Sequence, residues 1–431
     1  MTIENVDRVA RRMAHIKPRR YNAPSMNRQS RVLAALGVAL CFGAAVSAQT
    51  AVNPRDDGRV QYPQGLANSF VTLNVGSINY DFSQEQLEPG HQAGSIAVPH
   101  VAARVMLFGH HFGKYVSIQG SYMRPIKYVR YRDVDGTGTT HTVWMHFGTV
   151  TAQVRAPVAN RVAIFGEGGV ALTNRSGFEL GDQPGVRDAH FWSPLVGGGV
   201  EYRLSQKLDL LVGTAFIPRR DEANNPATMF TSAGIRYTMR PLPPDRVTES
   251  IDSGYPFPEN LVQVGYATDA FGFALNNFFN KDLPIFWGGD VKVKRSIVSL
   301  QWERNLFHTK KVFAIDLGAS FSEWRSRATD SAFRTLSLYP VLRFTFLRTK
   351  QADVYASFSE AGPTYISRVE IDELPTGSHF TFQDFMALGF FIGSHRRLNV
   401  ELNLNHYSNG NLMSENAGVM VPLALKVGYA F

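Results

Sequence analysis

Two residues in this chain have the types and spacing for covalent chemistry: His406 and Ser408, in the tract His406-Tyr407-Ser408-Asn409. A serine hydroxyl is a weak nucleophile until a neighbouring base takes its proton, and imidazole is the commonest such base. Side chains two apart on a strand lie on one face, so His406 can reach Ser408. The pair could attack an ester carbonyl, a reaction that needs neither metal nor cofactor. The bland alternative is a histidine and a serine that only solvate a strand end.

The strand that would hold them starts at Leu398. Leu398, Val400, Leu402 and Leu404 alternate with Asn399, Glu401, Asn403 and Asn405, so one face is aliphatic, ending in His406 and Ser408, and the other polar. After an Asn/Gly/Ser turn the alternation resumes through Val419, Val421, Leu423, Leu425, Val427, Tyr429 and Phe431, the last residue.

The chain has 431 residues, 37 Gly, 22 Pro, one Cys and 12% aromatics, with a formal charge of +8. Eight basic and two acidic residues precede Gln49, which leaves 36 basic and 34 acidic residues after it. Nucleic-acid binding then has no electrostatic support. Arg28 and Arg31 precede the apolar run Val32 to Val46, and Val46-Ser47-Ala48 is a small-residue cleavage site. This is the pattern of a secretory signal peptide, too short for a comfortable membrane span. Residues 1–48 are read as a basic preamble plus signal, with Met26 as an alternative start. Cys41 lies inside the signal, so the exported chain would contain no thiol, disulfide or Cys-based metal site.

From Asn68 onward there is no convincing amphipathic helix. There are instead alternating segments of about ten residues or more, separated by turn residues, as in Val71/Leu73/Val75 and Val298/Leu300/Trp302. Export, alternation and a mean hydropathy of −0.14 predict an all-β outer-membrane antiparallel β-barrel; a secreted β-sandwich is the competing class. Residues 240–260 carry five prolines and read as a linker. Eight or nine segments precede it and eight follow. The expected layout is an N-terminal linker over 49–67, a small barrel over 68–240, a Pro-rich linker over 241–259 and a second barrel over 260–431. Two tandem eight-stranded barrels are the first reading, and one barrel of about sixteen strands is the alternative.

The tract HYSNGN…ENAG…GYAF resembles the outer-membrane lipid A 3-O-deacylase family (the PagL type) and its acyloxyacyl-hydrolase relatives. The resemblance spans about 259–431, with its specific residues in 406–431. It implies an eight-stranded barrel with a Ser-His-acid triad on the lipid-facing wall. On that pattern His406 is the base, Ser408 the nucleophile and Asn416 an oxyanion donor, with Asn409 a further donor. The family's carboxylate stands two residues after the Gly of Asn-x-Gly; here that residue is Met420, and Glu415 is the nearby acid that could substitute. The implied activity is a serine esterase that removes an acyl chain from lipid A in the outer leaflet. The competing class is a non-enzymatic structural or adhesive barrel. The first half, at Phe165-Gly166-Glu167-Gly168-Gly169, more loosely resembles OmpA-like small barrels.

Strand geometry reaches a similar place. A last strand ending at Phe431 leaves the C-terminus on the periplasmic side, where the assembly machinery would engage it. The strand from Leu398 then rises outward and sets His406 and Ser408 at the outer-leaflet interface, facing lipid. Elsewhere, His110 and His111 read as marking a turn, and Asp133-Val134-Asp135-Gly136 as a hairpin loop without the later ligands of a calcium site.

Overall fold

The computed structural model describes residues 59–253, 255–281, 288–410, 412–413 and 415–431. The expected preamble, signal peptide and Met26 start lie outside the described residues. Each half of the rest folds as a closed antiparallel barrel of eight long strands. The first comprises β1 (Ser69–Tyr80), β2 (Val101–Phe112), β3 (Val116–Pro125), β4 (Thr140–Pro157), β5 (Val162–Ser176), β6 (Ala189–Arg203), β7 (Leu208–Ile217) and β8 (Thr228–Thr238). The second comprises β9 (Asn260–Ala267), β10 (Val291–His308), β11 (Phe313–Ser326), β12 (Ala332–Arg348), β13 (Ala352–Ile366), β14 (Phe380–Ile392), β15 (Leu398–Ser408) and β16 (Ala424–Ala430). Closure is by β1 on β8, from Phe70↔Thr238 to Tyr80↔Thr228, and by β9 on β16, from Leu261↔Ala430 to Ala267↔Ala424. The neighbours of β9 are β10 and β16, so no sheet runs across the linker.

Sequence alternation explains closure. Val71, Leu73 and Val75 stand outward and exposed while Thr72 and Asn74 are buried between them. An apolar exterior suits hydrocarbon, where every backbone polar group must be paired internally, and a closed barrel leaves no edge unpaired. The interiors are filled, by polar and charged side chains along much of their length and by apolar clusters toward the long loops, around Phe147 and Phe230 in the first barrel and Trp324 and Phe333 in the second. Arg104 pairs with Glu167 at 2.6 Å in the first barrel, and Arg236 with Glu201 at 2.8 Å. In the second, Arg343 bridges Asp316 and Glu303, and Lys426 reaches Gln301 and Glu401. Buried ions cost several kcal/mol each unless paired, and these are paired across strands.

In both barrels the connections alternate in length. Residues 113–115, 158–161 and 204–207 are short turns at the end where the first barrel's chain enters and leaves, and 81–100, 126–139, 177–188 and 218–227 are long loops at the other. The second barrel repeats this, with its longest connections at 268–290, 367–379 and 409–423. Short periplasmic turns and longer outer loops are the outer-membrane pattern.

Several expectations need correction. Segment 127–134 is not a barrel strand: Val129–Val134 forms a hairpin with the outer end of β4, inside a long loop. Among the described residues two short helices occur where none was expected, α1 (Pro244–Ile251) in the linker and α2 (Ala274–Lys281) after β9. Pro244 opens α1, a position where the missing N–H costs nothing. Segment 260–273 therefore ends as a strand at Ala267. His110 and His111 lie on β2 before the turn, His110 Nδ1 3.0 Å from Ser69 Oγ and His111 packed on Phe70. Asp133 and Asp135 do form a hairpin loop, both at positive φ.

The barrels touch at both ends. At the short-turn end Tyr62 stacks on Phe307 at 4.1 Å while its hydroxyl meets that of Tyr237 at 2.9 Å. The Arg59 carbonyl there accepts the His308 N–H at 2.8 Å. At the long-loop end Leu412 of the second barrel lies against Gly148 of β4, where an added Cβ would come within 2.8 Å of it.

Candidate functional site

β15 follows the expected alternation. Asn399, Glu401, Asn403 and Asn405 are buried in the interior, while Leu398 and Leu402 are exposed outside. Outward-facing Leu404 and His406 are nonetheless buried, because the top of this wall is covered. Behind them, Tyr407 points inward; its hydroxyl accepts from Thr335 Oγ1 at 3.1 Å and its ring meets Trp324 edge-on. This packing fixes the backbone that carries His406.

Antiparallel pairing gives His406 one directly opposite neighbour on each side: Asp384 on β14 and Met420 in the short strand Val419–Met420. Opposite residues share a face, with Cβ atoms about 4.5–5.5 Å apart. His406 Nδ1 lies 3.5 Å from Asp384 Oδ2, a separation common for catalytic contacts in unliganded sites. On the other side Met420 is buried, its sulfur 3.3 Å from Lys292 Nζ.

Asp384 is held from behind. Between the pairs Ser359↔Phe385 and Gly362↔Gln383, β13 has two residues, Glu360 and Ala361, opposite the single Asp384. This is a β-bulge, a device that re-aims groups next to active sites. Ala361 adopts φ 56°, and its N–H donates to Asp384 Oδ1 at 2.6 Å. A left-handed alanine costs on the order of 1 kcal/mol. The strain buys a donor that occupies one carboxylate oxygen and leaves the other toward His406.

The second imidazole nitrogen, Nε2, donates to the carbonyl of Gly288 at 2.7 Å. A carbonyl only accepts, so Nε2 carries the proton in this arrangement. The contact arises because residues 288–292 run parallel to 417–420, with Val291 opposite Val419 and the Asp290 N–H bonded to Ala417. Gly418 sits at φ 58°, and an added Cβ would come 3.1 Å from Gly289 Cα and 3.6 Å from His406 Nε2, so a side chain there would be strained.

The other expected residues are placed as follows. Ser408 ends β15, half-exposed, two residues from His406 on the same face, and among the described residues its hydroxyl has no hydrogen-bond partner. Asn416 Oδ1 accepts the Asn409 N–H at 3.0 Å. The Asn409 amide donates to the carbonyls of Glu415 (2.6 Å) and Thr376 (3.3 Å), tying the 409–416 loop to its neighbour. The Glu415 carboxylate has no hydrogen-bond or ion-pair partner among the described residues, and the carboxylate facing His406 is that of Asp384. Sequence reasoning missed Asp384, yet a signal was present. Phe380, Phe382, Met386 and Leu388 share its face of β14, and an acid on an apolar, lipid-side row is a functional marker. No group of metal-ligating side chains occurs among the described residues.

A closed barrel with an apolar belt, ion pairs buried inside and one-sided long loops defines an outer-membrane protein, here with two barrels and a His406–Asp384 pair on the outer wall of the second. Residues 288–423 of that second barrel match the model of the family described as lipid A 3-O-deacylase (PagL). Among solved structures, the chain is similar to the outer-membrane enzyme PagL at 15% identity and TM-score 0.28, over 39% of this chain and 97% of that one. It is also similar to the N-terminal β-barrel domain of OprF from Pseudomonas aeruginosa, at 11% identity and TM-score 0.27, over 40% and 98% of the two chains. A third is Ail of Yersinia pestis, at 14% identity and TM-score 0.26, over 39% and 97%. No curated protein matches the chain.

Proposed function

We propose that the second barrel is a serine esterase that removes an ester-linked acyl chain from lipid A in the outer leaflet. The observation that carries this reading is the outward-facing pair His406 and Ser408 at the long-loop end of a barrel whose residues 288–423 match the deacylase family model. There the wall meets the lipid headgroup level, where acyl esters join the sugars. His406 takes the Ser408 proton as Oγ attacks the ester carbon. The tetrahedral oxyanion is received by the side-chain amide of Asn416, which the Asn409 N–H holds through Oδ1 at the loop beside the pair; such a donor is worth roughly 10²–10³ in turnover. His406 then returns the proton to the departing sugar oxygen, and water releases the fatty acid from the acyl-serine by the same steps. Base function needs Nε2 free, so the Gly288 carbonyl must be given up when substrate enters.

That same contact, together with Met420 at the family's acid position, favours a second reading: a structural or adhesive barrel with a silent site. Purified protein in detergent micelles with lipid A decides between them. The esterase reading expects fatty-acid release that falls at least about 10³-fold in Ser408→Ala and in His406→Ala, with the double variant no worse than either, because groups acting as a unit are non-additive. Equal release by wild type and Ser408→Ala would leave the silent barrel standing.

A further inference from the structure

Met420 and Asp384 flank His406 from opposite sides at the same level of the wall. The family pattern puts its carboxylate at Met420; this chain has none there, yet has one on the other neighbour. We propose that Asp384 is the positioning residue for His406, the acid having moved from the strand on one side of the base to the strand on the other. The inference rests on the esterase reading above.

Three observations converge on it. Asp384 Oδ2 faces Nδ1 of His406, the nitrogen that must be held if Nε2 is to serve Ser408. The bulge at Glu360 and Ala361 lies opposite Asp384, and the strained Ala361 N–H fixes the other carboxylate oxygen. Asp384 is buried on a face otherwise given to Phe382, Met386 and Leu388, so a charge there has no packing purpose. In the reaction Asp384 accepts the Nδ1–H hydrogen bond, keeps the ring in the tautomer whose Nε2 lone pair takes the Ser408 proton, and steadies the imidazolium that results.

The test compares Asp384→Asn, Glu360→Gln, Met420→Glu and the double variant Asp384→Asn/Met420→Glu, all as full chains refolded or extracted in detergent and checked for barrel assembly by heat-modifiable mobility. Asp384→Asn should lower kcat by on the order of 10³–10⁴ while KM changes little. The double variant should recover at least about tenfold, because a carboxylate at 420 again flanks His406; a merely structural aspartate could not be rescued from the opposite strand. Glu360→Gln, which neutralises a buried carboxyl beside Asp384, should keep wild-type turnover. Labelling of Ser408 by a fluorophosphonate gives a readout independent of lipid A and should follow the same order. Wild-type kcat in Asp384→Asn, a double variant no better than the single, or loss in Glu360→Gln instead would each overturn the proposal. Wild type that neither hydrolyses lipid A nor takes the label would fail the esterase reading itself, and the positioning role with it.

Discussion

At the scale of single residues, the site depends on one strained backbone amide. Ala361 holds φ 56° so that its N–H meets Asp384. Glycine can occupy that conformation freely, whereas a β-branched residue resists it. Ala361→Gly should therefore keep wild-type turnover and stability within about 1 kcal/mol, while Ala361→Val should destabilise by about 1–3 kcal/mol and cut turnover as the carboxylate loses its anchor. Kinetics and urea unfolding of the two variants check this; equal behaviour would mean that the bulge has no part in the site. His406 and Ser408 were legible in the sequence because period-two alternation puts them on one face. Asp384 was less so, since its link to His406 runs through cross-strand register, which a single strand's pattern does not contain. The bulge has a trace in Gly362-Pro363, a pair that marks irregular strand, but the residue that takes the positive φ is the alanine before it, which nothing in the sequence announces.

At the scale of elements, loops rather than strands set the neighbourhood of the site. Asp372, in the long loop after β13, accepts from Ser326 Oγ, from Thr329 Oγ1 and from the N–H groups of Ala328 and Thr329. Burial pushes its carboxyl up, but the hydrogen bonds from Ser326 and Thr329 outweigh that and hold it below the usual carboxylate range. A depressed folded-state value means that the clasp is complete above about pH 4, the ordinary aspartate value. It is lost as pH falls through the lower folded value. Proteolysis of the 367–379 loop by an acid protease should thus speed up on acidification more steeply in wild type than in Asp372→Asn, which lacks the charged clasp at every pH. Parallel profiles would refute the clasp. The strands themselves were readable, because a barrel's staves alternate along most of their length. The exceptions have physical causes. Val129–Val134 alternates like a stave but pairs with the loop strand Ala93–Ala97 and with the part of β4 that rises beyond the barrel, and α1 is a single proline-started helix of eight residues whose turns are too few to show a period.

At the scale of the whole molecule, two closed barrels joined by a proline-rich linker were anticipated from the break at 240–260 and the count of segments on each side. Their contact was not, since sequence patterns report faces and not which face meets which. The outward positions His146, Leu172 and Asn174 of the first barrel are buried, while Val150 and Val170 on the same strands are exposed, and Leu412 rests on Gly148 between them. The 409–416 loop that carries Asn416 therefore leans on the first barrel. Gly148→Trp should displace that loop and lower esterase turnover severalfold, with both barrels still assembling; unchanged turnover would show that the first barrel has no bearing on the site. The central claim, that this molecule deacylates lipid A through Ser408, is tested most directly by mass spectrometry of lipid A from cells producing the wild type or Ser408→Ala. Cells with the wild type should yield a species lighter by one acyl chain, and cells with the variant none. Identical lipid A spectra from the two, at equal barrel levels in the outer membrane, would contradict it.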